Sequence, residues 1–387
     1  MRFEFATATR IIFGQGTFNE AAQACEGTGN CALLVTGRNP DRAAPLLETL
    51  EKSRIKTGIF IVSGEPTVGL IIAGVEIARQ NACDFVIGIG GGSVIDSAKA
   101  IAALLTNSGD VMDYLEVVGL AKPLSRPSAP CIVIPTTAGT GAEVTRNSVL
   151  ISPEHRVKVS LRSPNMLPDL AVVDPELTYS MPPALTASTG LDALTQLLEA
   201  FVSSRSNPLT DGICLEGLRR AGGSLLRAFE DGADESARED MAVASLFGGL
   251  ALANSGLGAI HGIAGPMGGM FPAPHGVICA RLLPFVMEVN VMALRRDSSQ
   301  QYISRYDRAA QVLTGKSNAM AEDGISWIHR LCEDLHIPGL SKFGITGEDF
   351  PELISRAKKA SSMKGNPVAL TDEELMETLQ KAVPQVP

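Results

Sequence analysis

Two of the five histidines, His261 and His275, stand in one run of small, apolar and flexible residues, LGAIHGIAGPMGGMFPAPH (257–275). Imidazole is the commonest protein metal ligand and the side chain that titrates near neutral pH. Taken singly, each reads more readily as a packed core or helix-cap histidine than as a ligand. A third donor changes the reading. Asp192 lies in TGLDALTQLLEAFVS (189–203), whose helical pattern places it in a first turn among apolar neighbours. A first-turn carboxylate is also a common helix cap. Asp192, His261 and His275 together make an O/N/N set suited to Zn²⁺ or Fe²⁺, and three protein ligands leave a position for a substrate oxygen. One turn after Asp192 comes Gln196, whose amide is a poor fourth donor. His155, in the turn SPEHR, and His329 and His336, in C-terminal helical patterns, read as surface or packing groups.

Two glycine- and hydroxyl-rich loops supply a different chemistry. GIGGGSVIDSAK (88–99) follows an apolar strand and opens a helix. Gly90, Gly91 and Gly92 let a phosphate approach the backbone, Ser93 is placed to cap the helix, and the free amides there suit an anion. It is not the GxGxxG fingerprint, since Ser93 occupies the last glycine position. PTTAGTGAEVT (135–145) offers Thr136, Thr137 and Thr140 at a strand end, the side of an open α/β sheet that binds ligands. The two loops together suggest a dinucleotide.

The elements that must position these groups change character along the chain. CALLVT (31–36), TGIFIV (57–62), FVIGIG (85–90) and CIVIP (131–135) are continuous apolar strands. Helical stretches at 42–52, 67–80 and 93–105 alternate with them, as in a parallel sheet covered on both faces. Strand-like NSVLI (147–151), VKVSL (157–161) and AVVD (171–174) follow. Beyond Pro182 the pattern is helical: 186–204, 208–228, 236–254, 258–271, 275–290, 300–314, 320–335, 346–360 and 371–383. This predicts an α/β domain with a mostly parallel sheet over 1–181, carrying both glycine-rich loops, then an all-α domain over 182–387, carrying Asp192, His261 and His275.

Composition narrows the class. With 387 residues, 45% hydrophobic and 19% charged, the chain is that of a folded globular protein, and a net charge of −9 argues against nucleic acid. No uninterrupted apolar run reaches membrane-spanning length, and the N-terminus lacks a signal-peptide pattern. Seven cysteines without a CxxC pair predict buried, reduced thiols in a cytoplasmic protein.

The segments above closely resemble, in order, the iron-containing (group III) alcohol dehydrogenase family. The likeness runs from IIFGQGT (11–17) through GGGSVID, PTTAGTGAEVT, LPDLAVVDPELT, MPPALTASTGLDALT and PAPHG to NPVALTDEEL (366–375). It implies a nicotinamide dinucleotide on Gly90, Gly91, Gly92 and Ser93, with Thr136, Thr140, Thr145, Val149 and Lys158 along the cofactor. The metal would sit on Asp192, His261 and His275, with metal and substrate in a cleft between the domains. A small alcohol or carbonyl substrate and a homodimer or larger assembly are also implied. The expected reaction is reversible hydride transfer, with the metal as Lewis acid on the substrate oxygen.

Three departures bear on that expectation. Gln196 stands where many members carry a fourth ligand, His; the related zinc-dependent glycerol dehydrogenases are similar to this chain in having an Asp/His/His set. Gly265 replaces a His implied to contact substrate or relay a proton, leaving an apolar neighbourhood of Gly265, Met267, Met270 and Phe271. Gly37 stands where NAD-specific members tend to carry Asp. Its neutrality, with Arg38 beside it, predicts NADP over NAD, because no carboxylate repels a 2′-phosphate. Three alternatives stay open: a metal-independent maleylacetate-reductase-like enzyme, a dehydroquinate-synthase-like lyase, and a non-catalytic binding protein.

Overall fold

The computed structural model describes residues 2–383, which form two compact units. The first comprises Ala6–Thr137 and Gly141–Tyr179. It contains β1 (Arg10–Phe13), β2 (Cys31–Thr36), β3 (Lys56–Ile61), β4 (Phe85–Gly90), β5 (Cys131–Pro135), β6 (Asn147–Ser152), β7 (Val157–Arg162) and β8 (Leu170–Val173). Its longer helices are α1 (Ala44–Lys52), α2 (Val68–Gln80) and α3 (Gly92–Thr106). Six strands form one sheet in the order β1-β8-β5-β4-β2-β3, and every pairing in it is parallel. Every residue of β2, β4, β5 and β8 is buried, which explains their unbroken apolar sequences.

β6 and β7 stand apart as an antiparallel hairpin. Buried residues recur at every second position of β6, the one-sided pattern of an antiparallel ribbon and not of a doubly covered strand.

Strand order sets where the glycine-rich turns fall. The chain passes from β2 outward to β3, then returns to the other side of β2 to make β4. The order therefore reverses between β2 and β4, where open α/β sheets bind ligands at their carboxyl ends. In register, Thr36 pairs with Ile89 and Gly90 with Pro135. Gly37, Gly91 and Thr136 thus follow three adjacent strands at one edge.

The second unit runs from Ser180 to the end of the described chain and takes in residues 2–5 and Ala138–Thr140. Its main helices are α4 (Pro183–Val202), α5 (Pro208–Glu230), α6 (Glu235–Ser255), α7 (Ala259–Met270), α8 (His275–Arg296), α9 (Gln300–Thr314), α10 (Ala321–Asp334), α11 (Phe350–Ala357) and α12 (Asp372–Ala382). One apolar core, with Leu191, Leu194, Leu197, Ile260, Ile263, Ile278 and Leu282, joins α4, α7 and α8. α8 is long and apolar enough to cross a membrane, although its sequence carries interspersed charges. However, 78% of its most apolar window is buried inside the protein. Its apolarity is accounted for by core packing.

Candidate functional site

α4 begins earlier than its polar pattern suggests. Pro182 is its N-cap and Pro183 its first residue, a position that tolerates proline because the missing N–H would be unbonded there anyway. Asp192 consequently lies in the helix interior, not in a first turn, and it cannot act as a cap. It is 2% exposed. A carboxylate so buried needs partners. They come from α7 and α8: Asp192 Oδ1 lies 3.3 Å from His261 Nε2 and 3.8 Å from His275 Nε2. The two imidazole centroids are 5.4 Å apart. One ligand atom each from Asp192, His261, His275 and Cys279 lies within 4.8 Å of the others, so the structure brings the three expected donors together and adds a sulfur.

Why His261 points there follows from the start of α7. Its cap, Gly258, would with a Cβ meet Asn366 Oδ1 at 2.9 Å and Glu199 Oε1 at 2.9 Å. A residue with no side chain lets both groups reach the first-turn amides. Ala259 N donates to Asn366 Oδ1 (3.1 Å), and Ile260 N donates to Glu199 Oε1 (2.6 Å). The other Glu199 oxygen lies 2.7 Å from His261 Nδ1. A carboxylate there accepts a hydrogen bond from Nδ1 and directs Nε2 toward Asp192, the usual second partner of a metal-binding imidazole. Glu199 is absent from the sequence reading. Its signal was available: it lies seven residues, about two helical turns, after Asp192 on the same face of an otherwise apolar helix.

His275 is the first residue of α8. The next residue must be small, because a Cβ on Gly276 would meet the Ser188 carbonyl oxygen at 2.4 Å. Close packing of α8 on α4 sets the His275 backbone beside Asp192. Gln196 is 3% exposed, and its Nε2 lies 3.3 Å from Asp192 Oδ2 and 3.4 Å from the Thr140 carbonyl. Its Oε1 has no hydrogen-bond partner and faces the Gly248 side, where a Cβ would lie 2.8 Å away. The amide thus donates to Asp192 and offers no oxygen to the donor cluster. Gly265, one turn after His261, has no atom within 4 Å of where its Cβ would be, so a roomy space replaces the expected imidazole.

The electrostatics fit a cation. Burial alone would raise the Asp192 pKa, but His275 and His261 hold it below the ordinary carboxylate value. Burial opposes charge on His261, yet Cys279 and the carboxylates of Asp192 and Glu199 lift its pKa well above that of free imidazole. The carboxylates are the source that counts, because burial pushes the Cys279 thiol up to about 12 and keeps it neutral. Two carboxylates and two imidazoles, largely out of water, match the chemistry of a divalent-metal site with its supporting carboxylate. The remaining histidines lie elsewhere: His329 against Glu288, His155 against Ser152, and His336 exposed.

In the α/β unit, α3 starts at Gly92 with Gly91 as its cap and no side chain capping it. Ser93 is therefore inside the first turn and not its cap, and the helix end is left to its backbone amides. Gly90 is required sterically, since a Cβ there would meet Val94 at 2.5 Å. Thr136 N donates to the Gly90 carbonyl (2.9 Å), tying the second loop to the first. Gly37 has no atom within 4 Å of a Cβ position, and Arg38 Nε donates to Ser63 Oγ (2.8 Å) in an exposed turn. Thr145 is buried; its hydroxyl accepts from Lys99 Nζ (2.9 Å) and donates to the Ala142 carbonyl (3.1 Å). Val149 N donates to Asp96 Oδ2 (3.0 Å), and Lys158 Nζ pairs with Glu65 (2.6 Å). All seven cysteines are free and buried.

Comparison with known proteins agrees with this architecture. The family models for iron-containing alcohol dehydrogenase and for the C-terminal part of that family match residues 8–175 and 186–383. The chain belongs to the iron-containing alcohol dehydrogenase family. It is 36% identical over 379 residues to alcohol dehydrogenase 4 of Saccharomyces cerevisiae (strain ATCC 204508 / S288c), covering 96% of each protein. A crystal structure of 1,3-propanediol oxidoreductase is similar at a TM-score of 0.91 and 33% identity, over 99% of this chain and all of the other (100%). Sulfoacetaldehyde reductase from Bifidobacterium kashiwanohense, solved in complex with NAD⁺, is similar at 0.87 and 30%, with 100% of both chains covered. The chain is a metal-dependent oxidoreductase that transfers hydride between NAD(P)(H) and a small alcohol or carbonyl compound. These relatives favour that activity over the maleylacetate-reductase-like and dehydroquinate-synthase-like alternatives.

Proposed function

We propose that this enzyme is an NADPH-preferring reductase of small aldehydes or ketones, acting in reverse as an alcohol dehydrogenase, with its metal on Asp192, His261 and His275. The observation that carries the reading is the convergence of those three donors, from three helices, on one buried point backed by Glu199. A divalent ion held there supplies Lewis-acid polarisation of the substrate oxygen. NADP(H) supplies or accepts the hydride.

The chain's own residues do the rest. Glu199 fixes the His261 tautomer, and Gln196 orients Asp192 through its amide. Gly265, with Met267, Met270 and Phe271, leaves an apolar space for the substrate. With no imidazole at 265, the substrate proton passes to water or the cofactor ribose. The cofactor phosphates lie on the uncapped start of α3, at Gly90, Gly91, Gly92 and Ser93. Thr136, Thr137, Thr140, Val149 and Lys158 line the remainder, and Thr145 holds its loop through Lys99.

NADPH is favoured because Gly37 puts no carboxylate at the end of β2, while Arg38 stands beside it with only a hydroxyl partner, Ser63. The domain roles are cofactor binding over 1–181 and metal and substrate binding over 182–387. Buried thiols throughout support a reducing, cytoplasmic location, and the family suggests a homodimer or larger assembly.

The experiment is a screen of aldehydes, ketones and keto acids with NADPH and NADH, on wild type and Gly37→Asp. The open space at Gly37 accepts the new side chain, so the variant should fold and shift toward NADH by about tenfold or more in kcat/KM, one well-placed charge contact. An unchanged cofactor ratio contradicts the Gly37 argument. Activity that survives complete chelation contradicts the metal reading.

A further inference from the structure

Cys279 is a fully buried residue of α8. It lies one turn after His275 on α8, so one helix face presents both side chains to the same point. Its sulfur is buried, 3.6 Å from His275 Nε2 and 3.8 Å from His261 Nε2. Four donors arranged tetrahedrally around a zinc-sized ion, at bond lengths of about 2.0–2.3 Å, lie roughly 3.3–3.8 Å from one another. The spacings here are 3.3 Å (His261 to Asp192), 3.8 Å (His275 to Asp192), 3.6 Å and 3.8 Å. Across the cluster, Gln196 turns its amide nitrogen toward Asp192 and its oxygen away. The amide thus turns no oxygen to the cluster here, and the sulfur stands at tetrahedral distance from both imidazole nitrogens.

We propose that Cys279 Sγ is a fourth protein ligand of the metal and tunes this site toward Zn²⁺ and away from Fe²⁺, a substrate oxygen then binding as a fifth ligand. The inference rests on the assignment of Asp192, His261 and His275 as the other three. On binding, the Sγ–H bond breaks, the sulfur–metal bond forms and the proton leaves to water; a coordinated thiol is deprotonated outright. Thiolate is a soft ligand that favours zinc, whereas a site of imidazole and carboxylate alone leaves iron competitive.

Cobalt titration of the apoprotein tests this, because cobalt reports sulfur ligation through a near-ultraviolet thiolate-to-metal charge-transfer band. Wild type should bind one equivalent and show the band. Cys279→Ser and Cys279→Ala should bind cobalt without it, with circular dichroism confirming the fold. Zinc affinity should fall about 10–100-fold in both variants, with a smaller loss for Fe²⁺. One bound equivalent in wild type without the band, or a band that persists in Cys279→Ser, overturns the Cys279 assignment. Asp192→Asn and His261→Ala separate the two readings. If both still bind cobalt as wild type does, the three-ligand assignment fails; if both lose it while wild type binds without a band, only the sulfur does.

Discussion

In the helical unit the proposed metal donors are side chains from three helices, Asp192 and His261 buried and His275 half-buried. In the α/β unit the proposed cofactor site is backbone at the ends of three adjacent strands. The two regions treat buried carboxylates differently too. Asp192 lies against two imidazoles and stays below the ordinary carboxylate value. Glu143, in the loop after β5, is 2% exposed, and burial raises its pKa to about 7 despite its own backbone hydrogen bond and the field of Lys99. A buried acid is kept charged where a cation or metal compensates it, and is driven toward neutrality where compensation is partial. The contrast teaches that the helical unit is built around charge, whereas the α/β unit is built around unbonded amides.

That contrast can be broken at several points. The largest effect belongs to Asp192→Asn, which removes the only anionic donor among the three ligands. Losing Lewis-acid activation worth several kcal/mol should cost about a thousandfold or more in kcat, measured beside metal content by mass spectrometry. Near-wild-type turnover without metal would remove charge as the theme of the helical unit.

Next comes Glu143→Gln. Between its ordinary value of 4.5 and about 7, the folded protein holds a proton on Glu143 that the unfolded chain has released. Stability contributed by this group therefore falls as pH rises through that window. Glutamine abolishes this, so wild type should lose up to about 3 kcal/mol more than the variant between pH 4.5 and 8, read from urea midpoints. Parallel pH profiles would show that Glu143 is compensated as fully as Asp192.

Glu199→Gln sharpens the comparison from the other side. It keeps the side-chain shape and one oxygen for the α7 amides but removes the charge behind His261. Metal affinity should fall about 10–100-fold, with the fold intact. An unchanged affinity would make Glu199 a helix-capping group alone.

The smallest expected effect is at Gly265→His, where open space accepts an imidazole one turn from His261. If the missing imidazole is a proton relay, the variant should gain between a few-fold and about a hundredfold in kcat, with a new inflection near pH 6.5. A flat response would leave proton transfer to water and the cofactor.

Much of this was legible in the chain because it is local. Strands buried on both faces are continuous apolar runs, so β2, β4 and β5 were placed to the residue. The turn after β4 announced itself through consecutive glycines. What was less legible depends on contacts far apart in sequence. The sequence pattern starts the helix after the prolines and so puts Asp192 in its first turn, whereas Pro183 is accommodated at its first position. Ser93 was expected to cap α3, but Gly91 does. The hairpin of β6 and β7 was not separated from the parallel strands, although its alternation carried the clue.

In the sequence Glu199 and Cys279 look like ordinary helix residues. Their roles rest on Gly258 admitting a carboxylate and on α8 packing tightly over α4 at Gly276. Neither can be seen without three dimensions. The sequence makes Gln196 a poor donor, and in the structure its amide nitrogen faces Asp192.

The central claim is that Asp192, His261 and His275 hold one catalytic divalent ion. Its most direct test is the metal content of purified wild type, Asp192→Asn and His261→Ala, measured with kcat/KM on the same samples. The account predicts close to one ion per chain in wild type, and loss of metal and activity together in both variants. Full metal content in either variant, or activity in metal-free wild type, would contradict it.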